Sequence, residues 1–321
     1  MSNLFKALIL VSVVVCGSSA ITAADESWPD TLVIGTAGRG GTYDAYGQGL
    51  ANVLQKELGL AIATRETTGP DENIQLLERN KIQIGFVTLG AALNALKAAE
   101  NSTDEGFNTL RAIAPMYETS LHFIVQQRSA INHIEELSGK TIGVGPAGGT
   151  ADVYVPRILK AFGVDASYKV GEWASLGSQL GSGQIEMLAV AGGTPFPALL
   201  ELSQKLQLRF LEVGDEEAKK LRLLIPELDQ TVVAAGVYPW HRTAYRTVGM
   251  FNFVLVRQDL PYSLVEAMVN AIFTRNERII EFSPAAAETI PRNVNRNNVI
   301  LFHAGAISWY QRHFPSLGGG D

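Results

Sequence analysis

Short apolar runs alternate with amphipathic stretches along most of the chain. Residues 31–35 read as a buried strand, and 42–58 as a helix whose Tyr43, Tyr46, Leu50, Val53, Leu54 and Leu58 fall on one stripe. Residues 61–66 predict a second strand, and the turn Thr67-Thr68-Gly69-Pro70-Asp71 leads into a helix over 72–79. A third strand over 82–87 and a helix over 91–99 complete a β-α-β-α-β unit, the repeat of a doubly wound sheet.

The same plan then restarts. Residues 110–115 and 122–125 predict strands that leave the first unit, and 131–137 a short helix. Strand 141–144, helix 151–162, strand 168–170, helix 176–181 and strand 187–191 follow, with Pro156 expected to kink the first of these helices. The apolar strand 250–256 and helix 263–276 suit a chain that returns to the first unit. The expectation is an α/β protein of two doubly wound domains joined by crossing strands, which form a hinge. One lobe is expected from 25–118 with 249–321, the other from 119–248, and Gly318-Gly319-Gly320 reads as a frayed end.

A repeated phrase marks both units. Ile34-Gly35-Thr36-Ala37-Gly38-Arg39-Gly40-Gly41-Thr42-Tyr43-Asp44-Ala45-Tyr46 is echoed without a gap by Ile142-Gly143-Val144-Gly145-Pro146-Ala147-Gly148-Gly149-Thr150-Ala151-Asp152-Val153-Tyr154. Each copy joins a strand to a helix, with Thr42 and Thr150 at the expected N-caps. Bare glycine turns at helix starts present outward N–H groups and partial positive charge, a setting for an anion. Two such turns suggest two lobes closing on one small anionic ligand. A third Gly-Gly-Thr, Gly192-Gly193-Thr194, follows the strand 187–191 and precedes Pro195 and Pro197, either of which suits the first helical position.

The 321 residues are enough for two cores. A net charge of −6 without any basic stripe argues against nucleic acid as a partner. Residues 1–24 read as an export signal: Lys6, an apolar stretch over 7–15, then small residues allowing cleavage after Ala20, Ala23 or Ala24. The apolar run is too short to span a bilayer, so a soluble periplasmic protein is expected. Cys16, the sole cysteine, lies in this segment. A lipid anchor there is the alternative, disfavoured by Val15 before it, where a small residue is wanted.

Ligands of open α/β sheets bind beyond the carboxyl ends of the strands, where these turns lie. Arg39 offers a guanidinium that could clamp a carboxylate, or else pair with Asp44 or Glu66. Tyr43 could close over the ligand or begin the apolar stripe, and Trp173, expected in a loop, could supply an aromatic wall. Trp240 has no evident place. Ser138-Gly139-Lys140-Thr141 has the tail of a phosphate loop, but Ile134 replaces its first glycine and a strand follows it. The first turn lacks dinucleotide spacing, since Ala37 stands at the middle glycine. The five histidines, at 122, 133, 241, 303 and 313, form no metal motif, and no nucleophile, acid and base converge. No cofactor and no enzymatic activity are expected.

Gly35-Thr36 through Gly40-Gly41-Thr42-Tyr43, the run 72–77, Leu110-Arg111-Ala112-Ile113-Ala114, Gly139-Lys140-Thr141 with Pro146 and Gly149-Thr150, and Ala191-Gly192-Gly193-Thr194-Pro195 with Pro197-Ala198-Leu199 together resemble the TAXI family of solute receptors for TRAP transporters. The resemblance covers nearly the whole chain after the export signal. It implies a two-lobed, type II-like periplasmic binding protein that delivers a small acid, such as glutamate or a 2-oxoglutarate-like acid, to membrane permease subunits driven by an ion gradient. It carries over to Thr36, Gly41, Thr42, Tyr43, Gly149, Thr150 and Thr194. Where many members have Val-Gln-Ser-Asp, this chain has Val87-Thr88-Leu89-Gly90, and Gly38-Arg39 and Asp44-Ala45 also depart from the pattern. An added arginine and a less polar wall favour an organic acid without a free amino group. The expected ligand shell is Thr36, Arg39, Gly40, Gly41, Thr42, Tyr43, Thr88, Leu89, Gly148, Gly149, Thr150, Trp173, Gly193 and Thr194. A periplasmic sensor presenting its closed form to a signalling partner is the alternative.

Overall fold

The computed structural model describes residues 28–100 and 107–315. The expected export signal, Cys16 and the terminal glycines lie outside the described residues. In chain order the first lobe begins with β1 (Thr31–Gly35), α1 (Thr42–Leu58), β2 (Ala61–Arg65), α2 (Pro70–Glu78), β3 (Ile84–Thr88) and α3 (Leu89–Glu100). β1 pairs in parallel with β2 on one side and β3 on the other, as a doubly wound unit requires.

The long strand β4 (Leu110–Gln126) then passes into the second lobe. There follow β5 (Thr141–Gly143), α4 (Thr150–Ala161), β6 (Ser167–Lys169), α5 (Trp173–Ser182), β7 (Met187–Gly192), α6 (Pro197–Ser203), β8 (Leu208–Leu211), α7 (Asp215–Leu224) and β9 (Asp229–Val233). β10 (Tyr245–Arg257) returns, and α8 (Tyr262–Thr274), α9 (Asn276–Phe282) and α10 (Ala304–His313) pack on the first lobe. Among the described residues no helix is long and apolar enough to cross a membrane.

The strand order β2-β1-β3-β10-β4-β7-β5-β6 makes one curled sheet whose two parallel wings are joined by the antiparallel pair β4 and β10. Toward Leu110, β4 runs beside β10 in the first lobe; from Ser120 onward it pairs with β7 in the second. Separate apolar cores lie on either side of this crossing, one built around α1, α8 and α10 and another around α4 and β7.

Two expected strands, 110–115 and 122–125, are one. The polar stretch Glu118-Thr119-Ser120 interrupts the apolar run in sequence, yet its backbone stays in the ladder with Gly249, Met250 and Phe251. The register slips by one residue between Phe251 and Phe253, where Asn252 of β10 lies opposite a bulge formed by Met116 and Tyr117 of β4. The buried Asn252 amide donates to the Tyr117 carbonyl at 2.6 Å and to Thr119 Oγ at 2.8 Å, stitching the two crossing strands together.

Candidate functional site

The repeated phrase folds the same way twice. Gly40 and Gly148 take the left-handed conformation, with φ of 76° and 75°, where a side chain would be strained. Gly41 N–H donates to the Gly38 carbonyl at 3.3 Å, and Gly149 N–H to the Pro146 carbonyl at 3.1 Å. Asp44 reaches back to the Gly40 N–H at 3.2 Å, as Asp152 does to the Gly148 N–H at 2.9 Å.

These bonds move the helix starts by one residue. The N-caps are Gly41 and Gly149, both extended and without a side-chain cap, so Thr42 and Thr150 are the first helical residues and not the caps expected. The physical reason is that each aspartate, in the first turn, caps from inside the helix. The amides of Gly40, Gly41, Gly148 and Gly149 therefore have partners within the protein. The first-turn amides of α1 and α4 that follow them have no intrahelical acceptor.

Those two helix starts come from different lobes and face one cavity of about 60 Å³. Gly41, Thr42 and Tyr43 line it from one side, Gly149, Thr150 and Ala151 from the other. Trp173 forms part of the wall, although it is the first residue of α5 and not a loop residue, because the helix begins directly after the extended N-cap Glu172. Its ring lies against Gly145, where a Cβ would come within 2.1 Å of it, so only glycine seats this tryptophan.

Several lining residues escaped the sequence reading. Thr119 belongs to the polar interruption in β4 and Tyr117 adjoins it, Phe196 sits between two prolines, and Thr68-Gly69-Pro70 form the turn after β2. The only signal was punctuation: turn residues and a broken apolar run. Tyr117 is 1% exposed, and its hydroxyl has no hydrogen-bond partner of acceptable geometry, although Thr42 lies near enough to favour its ionised form. Burial, reinforced by Tyr43, Tyr46 and Glu288, raises its pKa well above the usual phenol value. The phenol thus keeps a proton to donate. Tyr43 is likewise raised, by burial and then by Asp71, but spends its proton on Asn252 Oδ1 at 2.6 Å.

The remaining expected residues lie outside the lining. Arg39 is 84% exposed and pairs with Glu66 at 3.1 Å on the outer face of the turn. Thr36 is buried, with its hydroxyl on the Arg65 carbonyl at 3.1 Å. Thr88 Oγ accepts the Ala91 N–H at 3.1 Å and caps α3, which Leu89 begins. Gly193 contributes its carbonyl to Thr42 Oγ across the cleft at 3.2 Å, and Thr194 precedes a cis proline. Gly40 serves through its carbonyl, which accepts the Ala198 N–H at 3.1 Å, again across the cleft. Gly148 lies against Thr68 of the opposite lobe.

The family model described as NMT1-like matches residues 34–312, spanning both lobes and both glycine turns. The chain belongs to the NMT1-like family. This NMT1-like protein is similar in fold to a solved structure from Bordetella bronchiseptica RB50, with 17% identity, a TM-score of 0.51, and coverage of 89% of this chain and 90% of that one. An ancestral arginine-binding protein bound to arginine matches at 16% identity and a TM-score of 0.49, over 79% of this chain and 96% of its own. The periplasmic aliphatic sulphonate binding protein SsuA from Escherichia coli matches at 13% identity and a TM-score of 0.46, over 88% of this chain and 90% of its own.

Proposed function

We propose that this NMT1-like protein is an extracytoplasmic solute receptor of the TAXI type. It is exported by its N-terminal segment, closes two lobes, 25–118 with 249–321 and 119–248, around a small carboxylate, and delivers that ligand to TRAP permease subunits. The observation that carries the reading is the pairing of two helix starts, one from each lobe, on a cavity also lined by Tyr117, whose buried hydroxyl has no partner among the described residues. Amide dipoles arranged this way hold an anion without a counter-cation, and release it when the lobes part.

The ligand shell in this reading is Gly41, Thr42, Tyr43, Gly149, Thr150 and Trp173, with Tyr117, Thr119 and Phe196 added. Thr36 acts one layer out by holding the end of β1 to β2, Thr88 and Leu89 by starting α3, and Gly40, Gly148, Gly193 and Thr194 by shaping the rim. Arg39 contributes little, because its charge is spent on Glu66 in solvent.

The test is native mass spectrometry of protein purified from the periplasm, followed by identification of the released ligand. A small carboxylate carried at near one per chain is the expected result. Protein that carries nothing, and whose melting temperature no organic acid or amino acid raises, would sink the receptor reading.

A further inference from the structure

The two glycine turns frame a cavity that is unusual for a carboxylate site in one respect: among the described residues none that lines it is Lys, Arg, His, Asp or Glu. We infer that the ligand carries one carboxylate and no second charge, an inference that rests on the receptor reading above.

The donors available suit a single carboxylate. Such a group has about four lone-pair sites. The first-turn amides of α1 and α4 converge on the cavity from opposite sides, and Tyr117, which also lines it, adds a buried hydroxyl without a hydrogen-bond partner of acceptable geometry among the described residues. Tyr117 makes this more than a pair of helix ends. Its proton is held firmly by burial, and its unmet hydrogen bond is a cost that a ligand oxygen removes.

A second negative charge finds no counterpart. The acids beside the turns are already engaged, Asp44 on the Gly40 N–H and Asp152 on the Gly148 N–H, and the one cation in either turn, Arg39, is 84% exposed and paired with Glu66. Each helix start has therefore spent part of its positive character on an aspartate of its own first turn. Asp71, at the start of α2, lies near enough to Tyr43 to raise its pKa, so its field also opposes a dianion. An ammonium group fares no better, because no carboxylate lines the cavity to receive it. The rest of the wall, with Trp173, Phe196, Val144, Pro146 and Ala191, is apolar and accepts an uncharged body.

The experiment is calorimetric titration of periplasmically produced protein, unfolded and refolded to strip bound ligand. The panel is a series of monocarboxylates from propionate to phenylacetate, each matched with the dicarboxylate, the α-amino acid and the primary amide of the same carbon skeleton. At least one monocarboxylate is expected to bind about tenfold tighter than all three of its counterparts. A dicarboxylate, amino acid or amide as the tightest ligand overturns the inference and leaves the receptor reading standing; no binding by any member of the panel overturns both. Tyr117→Phe is expected to weaken the best monocarboxylate about tenfold without lowering the melting temperature of the unliganded protein, since it removes an unpaired buried hydroxyl. Unchanged affinity in that variant removes Tyr117 from the donor set and overturns the argument built on it.

Discussion

The Tyr43 hydroxyl donates to Asn252 Oδ1 at 2.6 Å, joining a residue of the cavity wall to the bulge where the two crossing strands meet. Asn252 is fully buried and also holds the Tyr117 carbonyl and Thr119 Oγ. Wall and hinge therefore share one polar network. Replacing Asn252 by Ala leaves several buried groups unpaired and should cost about 2–3 kcal/mol in urea unfolding, whereas Tyr43→Phe should cost about 1. The double variant should lose less than the sum, since both changes remove the same bond.

Thr42 Oγ donates to the Gly193 carbonyl at 3.2 Å, from the first lobe to the second. The bond can exist only when the lobes are together, so it biases the closed state without touching either core. Thr42→Val should weaken ligand binding by about 3–10-fold, matching the usual net worth of one hydrogen bond. Thr42→Ser, which keeps the donor, should restore most of it in the same titration.

Gly90, in the first turn of α3, meets Tyr154 of α4 across the two lobes. A Cβ at Gly90 would stand 2.2 Å from the Tyr154 hydroxyl and 2.8 Å from the Met250 sulfur. Tyr154 is not free to swing aside, because its hydroxyl is tied to Glu227 at 3.3 Å and Glu227 is held by Arg157 at 2.8 Å. Gly90→Ala should leave each lobe folded but obstruct this arrangement of the two, lowering ligand affinity by tenfold or more. Small-angle scattering should then lack the compaction expected of the parent protein when the proposed ligand binds.

His122 is fully buried between the hydroxyls of Tyr245 and Tyr238, the latter at 3.1 Å, and burial pushes its pKa down to about 3. Tyr238 also receives the N–H of Phe196, so this network sets part of the cavity wall. Below pH 6.5 the unfolded chain protonates this imidazole and the folded one does not. Stability should fall as pH drops from about 6.5 toward 3, by up to about 1.4 kcal/mol per pH unit from this group. His122→Gln should flatten the plot of unfolding free energy against pH over that range, relative to the parent. A parallel pair of plots would contradict the burial of a neutral imidazole.

Arg39→Ala should change ligand affinity by less than about twofold, because the guanidinium is largely solvated and paired outside the cavity. A loss of tenfold or more in the same titration would mean that Arg39 turns inward when ligand enters.

Periodicity alone determined most of the elements. The apolar stripe of α1 and the alternation of strand and helix around β1, β3, β5 and β7 gave a two-lobed α/β plan, because burial of one face is a local, repeating demand. The glycine turns were legible for a related reason: a left-handed residue at Gly40 or Gly148 restricts the side chain at that position whatever surrounds it. The tertiary structure alone decided which groups meet. It turned Arg39 outward to Glu66, brought Tyr117 and Phe196 to the wall, made one strand of 110–126 and gave the glycine amides to Asp44 and Asp152. Hydrogen bonds and ion pairs between residues far apart in sequence leave no period behind them, so only the packed chain could choose among the partners available.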